Sequence, residues 1–193
     1  ATILRERGWA TGAFVSAFPL DRRFGLERGF DRYGDRMPRG PDGRLLNERP
    51  GRHTVDEALA WLGGIDGQPA FLWVHLFEPH APYEADPSRV SDQGSLPVQT
   101  RYDDEVARAD AGVGRLLEGL ATRRSEALIV VAGDHGEAFG EHGEIAHSVF
   151  LYDTTLRVPL IMAGPGIGAG TTSATDVSLA DVLPTVLDAL GLP

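Results

Sequence analysis

The chain has 193 residues, 42% apolar and 24% charged, which rules out a disordered tail or a bundle of membrane helices. A single globular domain of this size buries roughly 70% of its extended surface. All 18 basic residues are arginine and stand against 28 acidic ones, and a net charge of −10 disfavours binding to nucleic acid. Cysteine and lysine are absent, excluding disulfides, thiolate metal sites, cysteine nucleophiles, a Walker-type phosphate loop and a Schiff-base lysine. The longest apolar runs, 71–77 and 127–132, fall far short of the ~20 residues a membrane-spanning helix needs, so no membrane segment is expected. No basic and apolar leader opens the chain at Ala1, which reads as a piece of something longer. Any targeting signal would lie upstream, and the compartment stays open, a periplasmic or extracellular one being compatible.

Residues 2–9 read as the end of a helix stopped near Gly8, and 11–18 as a first strand ended by Pro19. Residues 21–52 are rich in Arg, Asp, Gly and Pro without periodicity, which predicts a long irregular surface excursion. A helix is expected from Thr54, as N-cap, to Gly63-Gly64. Residues 71–77 form the second predicted strand, apolar on both faces as in a buried parallel sheet. After a loop at 81–100 comes the clearest helix, 101–122, with Val106, Ala109, Val113, Leu116, Leu117 and Leu120 on one stripe. Asp103-Asp104-Glu105 reads as its solvated start. Strands at 127–132 and 158–162 follow, then a last helix at 178–190 with Pro184 as a kink or in its first turn. Strands alternating with helices predict an α/β fold, a mostly parallel sheet sandwiched between helices, as one domain over 1–193.

In such sheets, sites form in loops beyond the carboxyl ends of the strands. Two loops here are unusual: Glu78-Pro79-His80-Ala81-Pro82-Tyr83, and Gly133-Asp134-His135-Gly136-Glu137 running on to His142 and His147. Asp134 and His135 are both good ligands for a divalent cation, and Gly133 and Gly136 allow the bend that turns adjacent side chains to one ion. His147 and His142 are candidates for binding an anion, completing a metal site or moving a proton, with a loop hydrogen bond as the alternative for His142. His80, between two prolines, can donate to an anionic oxygen. His75 reads as a core residue, His53 as a surface one, and the glycine-rich 164–170 as a turn rather than a phosphate loop.

These two loops, together with Tyr152-Asp153 and Arg157-Val158-Pro159-Leu160, resemble the sulfatases of the alkaline-phosphatase-like superfamily. So do Ala13-Phe14-Val15-Ser16, Gly29-Phe30-Asp31 and the late Asp181-Val182-Leu183-Pro184-Thr185. The resemblance runs in order through nearly the whole chain. It implies metal-dependent hydrolysis of a sulfate monoester, small-molecule or glycan. Asp134 and His135 match the second pair of metal ligands, and His80 matches a histidine that contacts the sulfate and assists the leaving group. His147 falls near a family lysine that this chain lacks. The implied metal is calcium by family habit, although a histidine at 135 tilts toward manganese, zinc or magnesium. The family's nucleophile, a Cys-derived formylglycine or a Ser in a Cys/Ser-x-Pro-x-Arg motif, has no counterpart here; Ser88-Arg89 and Ser125-Glu126 do not fit. Nor do the paired aspartates after the family's first strand. Both would lie in a missing amino-terminal part of the same protein, upstream of Ala1. The chain alone is then expected to hold half a metal shell, to bind metal weakly, to turn over nothing and to leave a sheet edge open. The alternatives are a phosphoric or phosphonic ester hydrolase or phosphoethanolamine transferase of the same superfamily, or a non-catalytic binding domain.

Overall fold

A short helix, α1 (Thr2–Glu6), leads into β1 (Ala10–Val15), which is buried at all six positions. The reason is pairing on both edges and cover on both faces. In this computed structural model, which describes residues 1–86, 88, 93–123, 126–147 and 149–193, β1 runs parallel to β2 (Arg32–Gly34) on one side. On its other side it runs parallel to β3 (Ala70–His75), with Ala13 opposite both Tyr33 and Trp73. The expected loop 81–100 is therefore described only in part. Pro87 and residues 89–92 lie outside the described residues, as do Ser148, Arg124 and Ser125, and with them parts of the Ser88-Arg89 and Ser125-Glu126 pairs. The chain divides into two compact units, Ala1–Thr122 and Arg123–Pro193.

In the first unit, α2 (Gly51–Gly63) covers one face of the sheet and α3 (Val98–Ala121) packs on α2. Gly12 is required where Trp61 of α2 crosses β1, because a Cβ there would stand 2.8 Å from the indole. Phe14, two residues on, meets the same indole at 6.0 Å. Ala13, Val15 and Tyr33 face the other way and pack with Leu20, Phe30 and Trp73. The alternation is that of a strand, but both faces are apolar.

Three expectations are corrected here. The excursion at 21–52 contains β2, a strand of three residues, too short for its own pattern to announce it. Helix α2 starts at Gly51, before Thr54, because its first-turn N–H is capped from a distance: Gly51 N donates to Glu78 Oε1 at 2.9 Å. Thr54 lies buried inside the helix, its hydroxyl 2.6 Å from that of Ser16. Helix α3 starts at Val98, which carries Asp104 and Glu105 into its second turn, where both are buried rather than solvated. Arg49 ties the carboxyl ends of the first two strands to α2: its guanidinium donates to Val15 O and Gly34 O at 2.9 Å and to Glu57 at 2.6 Å.

In the second unit, β4 (Ile129–Ala132) is followed by a small hairpin, β5 (Ala138–Phe139) and β6 (Ile145–Ala146). One helical turn, α4 (Asp153–Leu156), precedes β7 (Leu160–Ala163). Strand β7 pairs antiparallel with β4, Val130 opposite Met162. That direction departs from the parallel pairing expected of alternating strands and helices, since a hairpin and a single turn intervene instead of a crossover helix. Ser178 and Asp181 form a capping box, and α5 (Val182–Ala189) follows with Pro184 in its first turn, where a missing N–H costs no intrahelical bond. Among the described residues no helix is long and apolar enough to cross a membrane.

Candidate active site

The loop after β3 belongs to the first unit. Its Glu78-Pro79 and Ala81-Pro82 bonds are both cis, so His80 sits between two bends. The imidazole stacks on Phe77 with centroids 4.0 Å apart, and Nδ1 lies 2.7 Å from Ala81 O. A carbonyl only accepts, so Nδ1 carries the proton and Nε2 is the basic nitrogen of the neutral ring. The backbone N of His80 donates to Glu105 Oε2 at 3.0 Å. Beside the ring opens a cleft of about 610 Å³ lined by Phe18, Leu46, Glu48, Phe77, His80 and Pro82. Burial raises the pKa of Glu48 above the usual glutamate range; Glu105, Glu78 and Glu84 add to the rise and His80 opposes it.

In the second unit, Asp134 and His135 follow β4 directly. His135 Nδ1 is 2.8 Å from Gly136 O, which fixes its tautomer as it does for His80, and Nε2 stands 3.9 Å from Asp134 Oδ1. Both side chains are open to solvent, Asp134 at 78% and His135 at 38%. Neither flanking glycine has a left-handed φ. Gly136 is needed for another reason: a Cβ there would collide with the carbonyl of Thr154 and lie 3.2 Å from the Cα of Thr155. The turn is thus pressed against the backbone around α4, to which Gly136 N also donates, at Thr155 O.

His147 stacks on His135 with centroids 3.9 Å apart, and its Nδ1 is 3.2 Å from Glu137 Oε1. Sequence reasoning assigned no role to Glu137, whose side chain is only 5% exposed. The hairpin explains the contact. Ala138 pairs with Ala146 across the antiparallel ladder, so the next positions outward, Glu137 and His147, are cross-strand neighbours. Gly140 and Gly143, both with left-handed φ, mark that turn in the sequence and could have given the register. Ala146, just before His147, holds a φ of 74°, an uncommon conformation for a residue with a side chain.

His142 lies in the hairpin turn with φ 56° and stacks on Tyr152 at 4.2 Å. His53 is exposed in the first turn of α2, and 164–170 forms turns. Asp134, His135 and His147 come together with Glu137, while His80 belongs to the other unit. Two donors bound to one divalent ion at about 2.0–2.5 Å can lie up to ~4–5 Å apart. Asp134 Oδ1 and His135 Nε2, separated by 3.9 Å, therefore fit two positions of one shell. Among the described residues no group of three or more His, Asp or Glu side chains is arranged to hold a metal ion.

Residues 1–192 match the model of a protein family described as Sulfatase. The chain is 36% identical over 98 residues to human arylsulfatase K, a match covering 50% of this chain and 18% of that protein. It is 36% identical over 105 residues to the choline-sulfatase of Rhizobium meliloti, covering 53% of this chain and 20% of that one. Among solved structures it resembles the phosphonate monoester hydrolase of Agrobacterium radiobacter at a TM-score of 0.74 and 18% identity, over 98% of this chain and 57% of that one. That likeness is one of fold: the α/β architecture is alkaline-phosphatase-like. The chain spans little more than half of this solved relative, and the matched stretches cover about a fifth of the two curated ones.

Proposed function

The chain belongs to the sulfatase family, and on that premise we propose that it supplies part of the catalytic centre of a sulfate monoester hydrolase. In this reading Asp134 and His135 hold a divalent metal. Calcium is the family's choice, and the imidazole ligand also suits manganese, zinc or magnesium. The observation that carries the reading is the convergence of Asp134 Oδ1 and His135 Nε2 to 3.9 Å, with His135 Nδ1 committed to Gly136 O. This is the way a metal-binding imidazole is commonly oriented, by a hydrogen bond on its far nitrogen. A bound ion would act as a Lewis acid on the ester oxygens.

The other roles fall to side chains whose orientation is equally constrained. His147, backed by the Glu137 carboxylate, meets the anionic ester in a chain that has no lysine for the purpose. His80, with Nδ1 on Ala81 O, presents Nε2 as the atom from which a cationic ring protonates the leaving oxygen. His142, in the hairpin turn, is proposed to contact substrate as well. The family's formylglycine nucleophile has no counterpart among cysteine-free residues 1–193 and on this reading belongs to sequence upstream of Ala1. On this reading the 193 residues alone bind metal weakly and turn over nothing.

The substrate is a sulfate ester, small-molecule or glycan. The test is elemental analysis and hydrolysis of 4-nitrophenyl sulfate by the full-length protein, with Asp134→Ala and His135→Ala alongside. Each substitution is expected to lower bound metal and bring hydrolysis to background. Unchanged metal content and rate would remove the site. Faster turnover of 4-nitrophenyl phosphate or a phosphonate monoester than of the sulfate would move the chain to the phosphoryl branch of the superfamily.

A further inference from the structure

Two carboxylates are buried on α3, Asp104 at 8% exposure and Glu105 at 5%, and the family reading gives neither a task. Burying ionised carboxylates is unfavourable unless their oxygens are satisfied in good geometry. Both carboxylates accept hydrogen bonds from the backbone of the His80 loop. Glu105 Oε2 accepts the His80 N–H at 3.0 Å, and Oε1 accepts the Glu84 N–H at 3.0 Å and Arg108 at 2.9 Å. Asp104 Oδ2 accepts the Asp86 N–H at 3.0 Å. Arginines of the same helix take the carbonyls, Arg108 donating to Glu84 O at 2.9 Å and Arg101 to Tyr83 O at 3.1 Å.

We infer that Glu105 is a positioning residue for His80, fixing where its imidazole stands relative to the helical scaffold. Two further restraints on the ring are local. Stacking on Phe77 and the bond from Nδ1 to Ala81 O set the ring within its own loop and say nothing of where the loop lies. Glu105 spans the loop from His80 to Glu84 with its two oxygens, so the loop cannot slide along α3 without breaking charge-assisted hydrogen bonds at both ends. A reacting group displaced by an ångström loses about a hundredfold in rate, so a rigid helix gripping the backbone of His80 itself is a device suited to catalysis. The inference rests on the role proposed above for His80.

The experiment uses the full-length protein with isotope-labelled histidine, reading the His80 imidazole by nitrogen-detected NMR and the kinetics with 4-nitrophenyl sulfate. His80→Gln assigns the ring signals. Glu105→Gln is isosteric but turns an NH2 toward one of the two backbone N–H groups, breaking one end of the grip. It is expected to shift the His80 ring signals and to lower kcat about 10–100-fold with KM little changed. Arg108→Met leaves the carboxylate in place and is expected to do less on both counts. Unmoved ring signals with kcat unchanged in Glu105→Gln would overturn the inference, as would an equal effect from Asp104→Asn, which acts at Asp86. If His80→Gln keeps full kcat while Glu105→Gln still moves the ring, the positioning role stands and the role proposed for His80 falls.

Discussion

Arg49 offers the sharpest test of how the first unit is held together. Its side chain is 6% exposed, and it donates to Val15 O and Gly34 O at 2.9 Å, each the last residue of its strand. Arg49→Met keeps most of the volume and removes every donor. Two buried carbonyls then lack partners, at about 1–3 kcal/mol each. Losing Glu57 as an ion-pair partner adds less than about 1 kcal/mol, because Glu57 is 36% exposed and retains Arg32 at 3.5 Å. The sum is about 2–7 kcal/mol. With a urea slope of about 2 kcal/mol per molar, the midpoint drops by about 1–3.5 M. Tryptophan fluorescence reports the transition directly, since Trp61 lies against β1 on one face and Trp73 packs in the cluster on the other. Glu57→Gln leaves both carbonyl bonds intact and is expected to cost about 1 kcal/mol. An equal loss in the two variants would mean that the ion pair, not the carbonyl tie, joins strands to helix. A loss below about 1 kcal/mol in Arg49→Met would refute the reasoning altogether.

Two further outcomes follow from particular contacts. Gly136→Ala drives a Cβ into the Thr154 carbonyl, a backbone atom that cannot rotate away, and is expected to cost about 1–3 kcal/mol in thermal or urea unfolding. Gly133→Ala meets nothing nearer than Pro159 Cδ at 3.3 Å and is expected to be nearly neutral, so equal losses would show that chain flexibility rather than close approach is what the glycines supply. Glu48 has its pKa raised above 4.5, first by burial and then by the Glu105 carboxylate, so the folded chain holds that proton more tightly than the unfolded one. Stability is lost as pH rises from about 4.5 through the folded pKa and stays lost above it. Glu48→Gln escapes that loss: melting temperatures should coincide near pH 4 and favour the variant near pH 7. A variant that melts lower than the parent at pH 7 would reverse the sign and reject the argument.

The sequence made the strands legible where the apolar run is continuous, as in the buried β1 and the half-buried β3, and the helices legible where one stripe is apolar, as in α3. What it hid has a common cause: a distant partner decides. Strand β2 is three residues long and exists because β1 offers a free edge. The start of α2 is set by Glu78, from the loop beyond β3, rather than by the capping residue that the local pattern offers. Asp104 and Glu105 look like ordinary first-turn acids until the His80 loop is laid over them. The loops that carry the candidate residues stood out in the sequence because strand-end loops dense in histidine are unusual. Glu137 was hidden because its partner, His147, is ten residues away across a hairpin.

Each of three imidazoles given a role above, His80 in the first unit and His135 and His147 in the second, is held through Nδ1 by an oxygen, but the oxygens differ in a way that sorts their proposed roles. His80 and His135 both use the carbonyl of the next residue, Ala81 and Gly136, which sets the tautomer without adding a charge. A metal ligand needs a neutral ring with its lone pair on the outer nitrogen, and for His135 a carbonyl partner supplies that. His147 uses a carboxylate brought from across the hairpin, the partner that complements a ring carrying a positive charge. In a chain whose basic residues are all arginine, an imidazole held in this way is the proposed partner of the anionic ester where the family has a lysine. On the roles proposed above, Glu137 stands behind the imidazole that takes the place of a lysine, and the register of the hairpin is what sets the two side chains opposite each other.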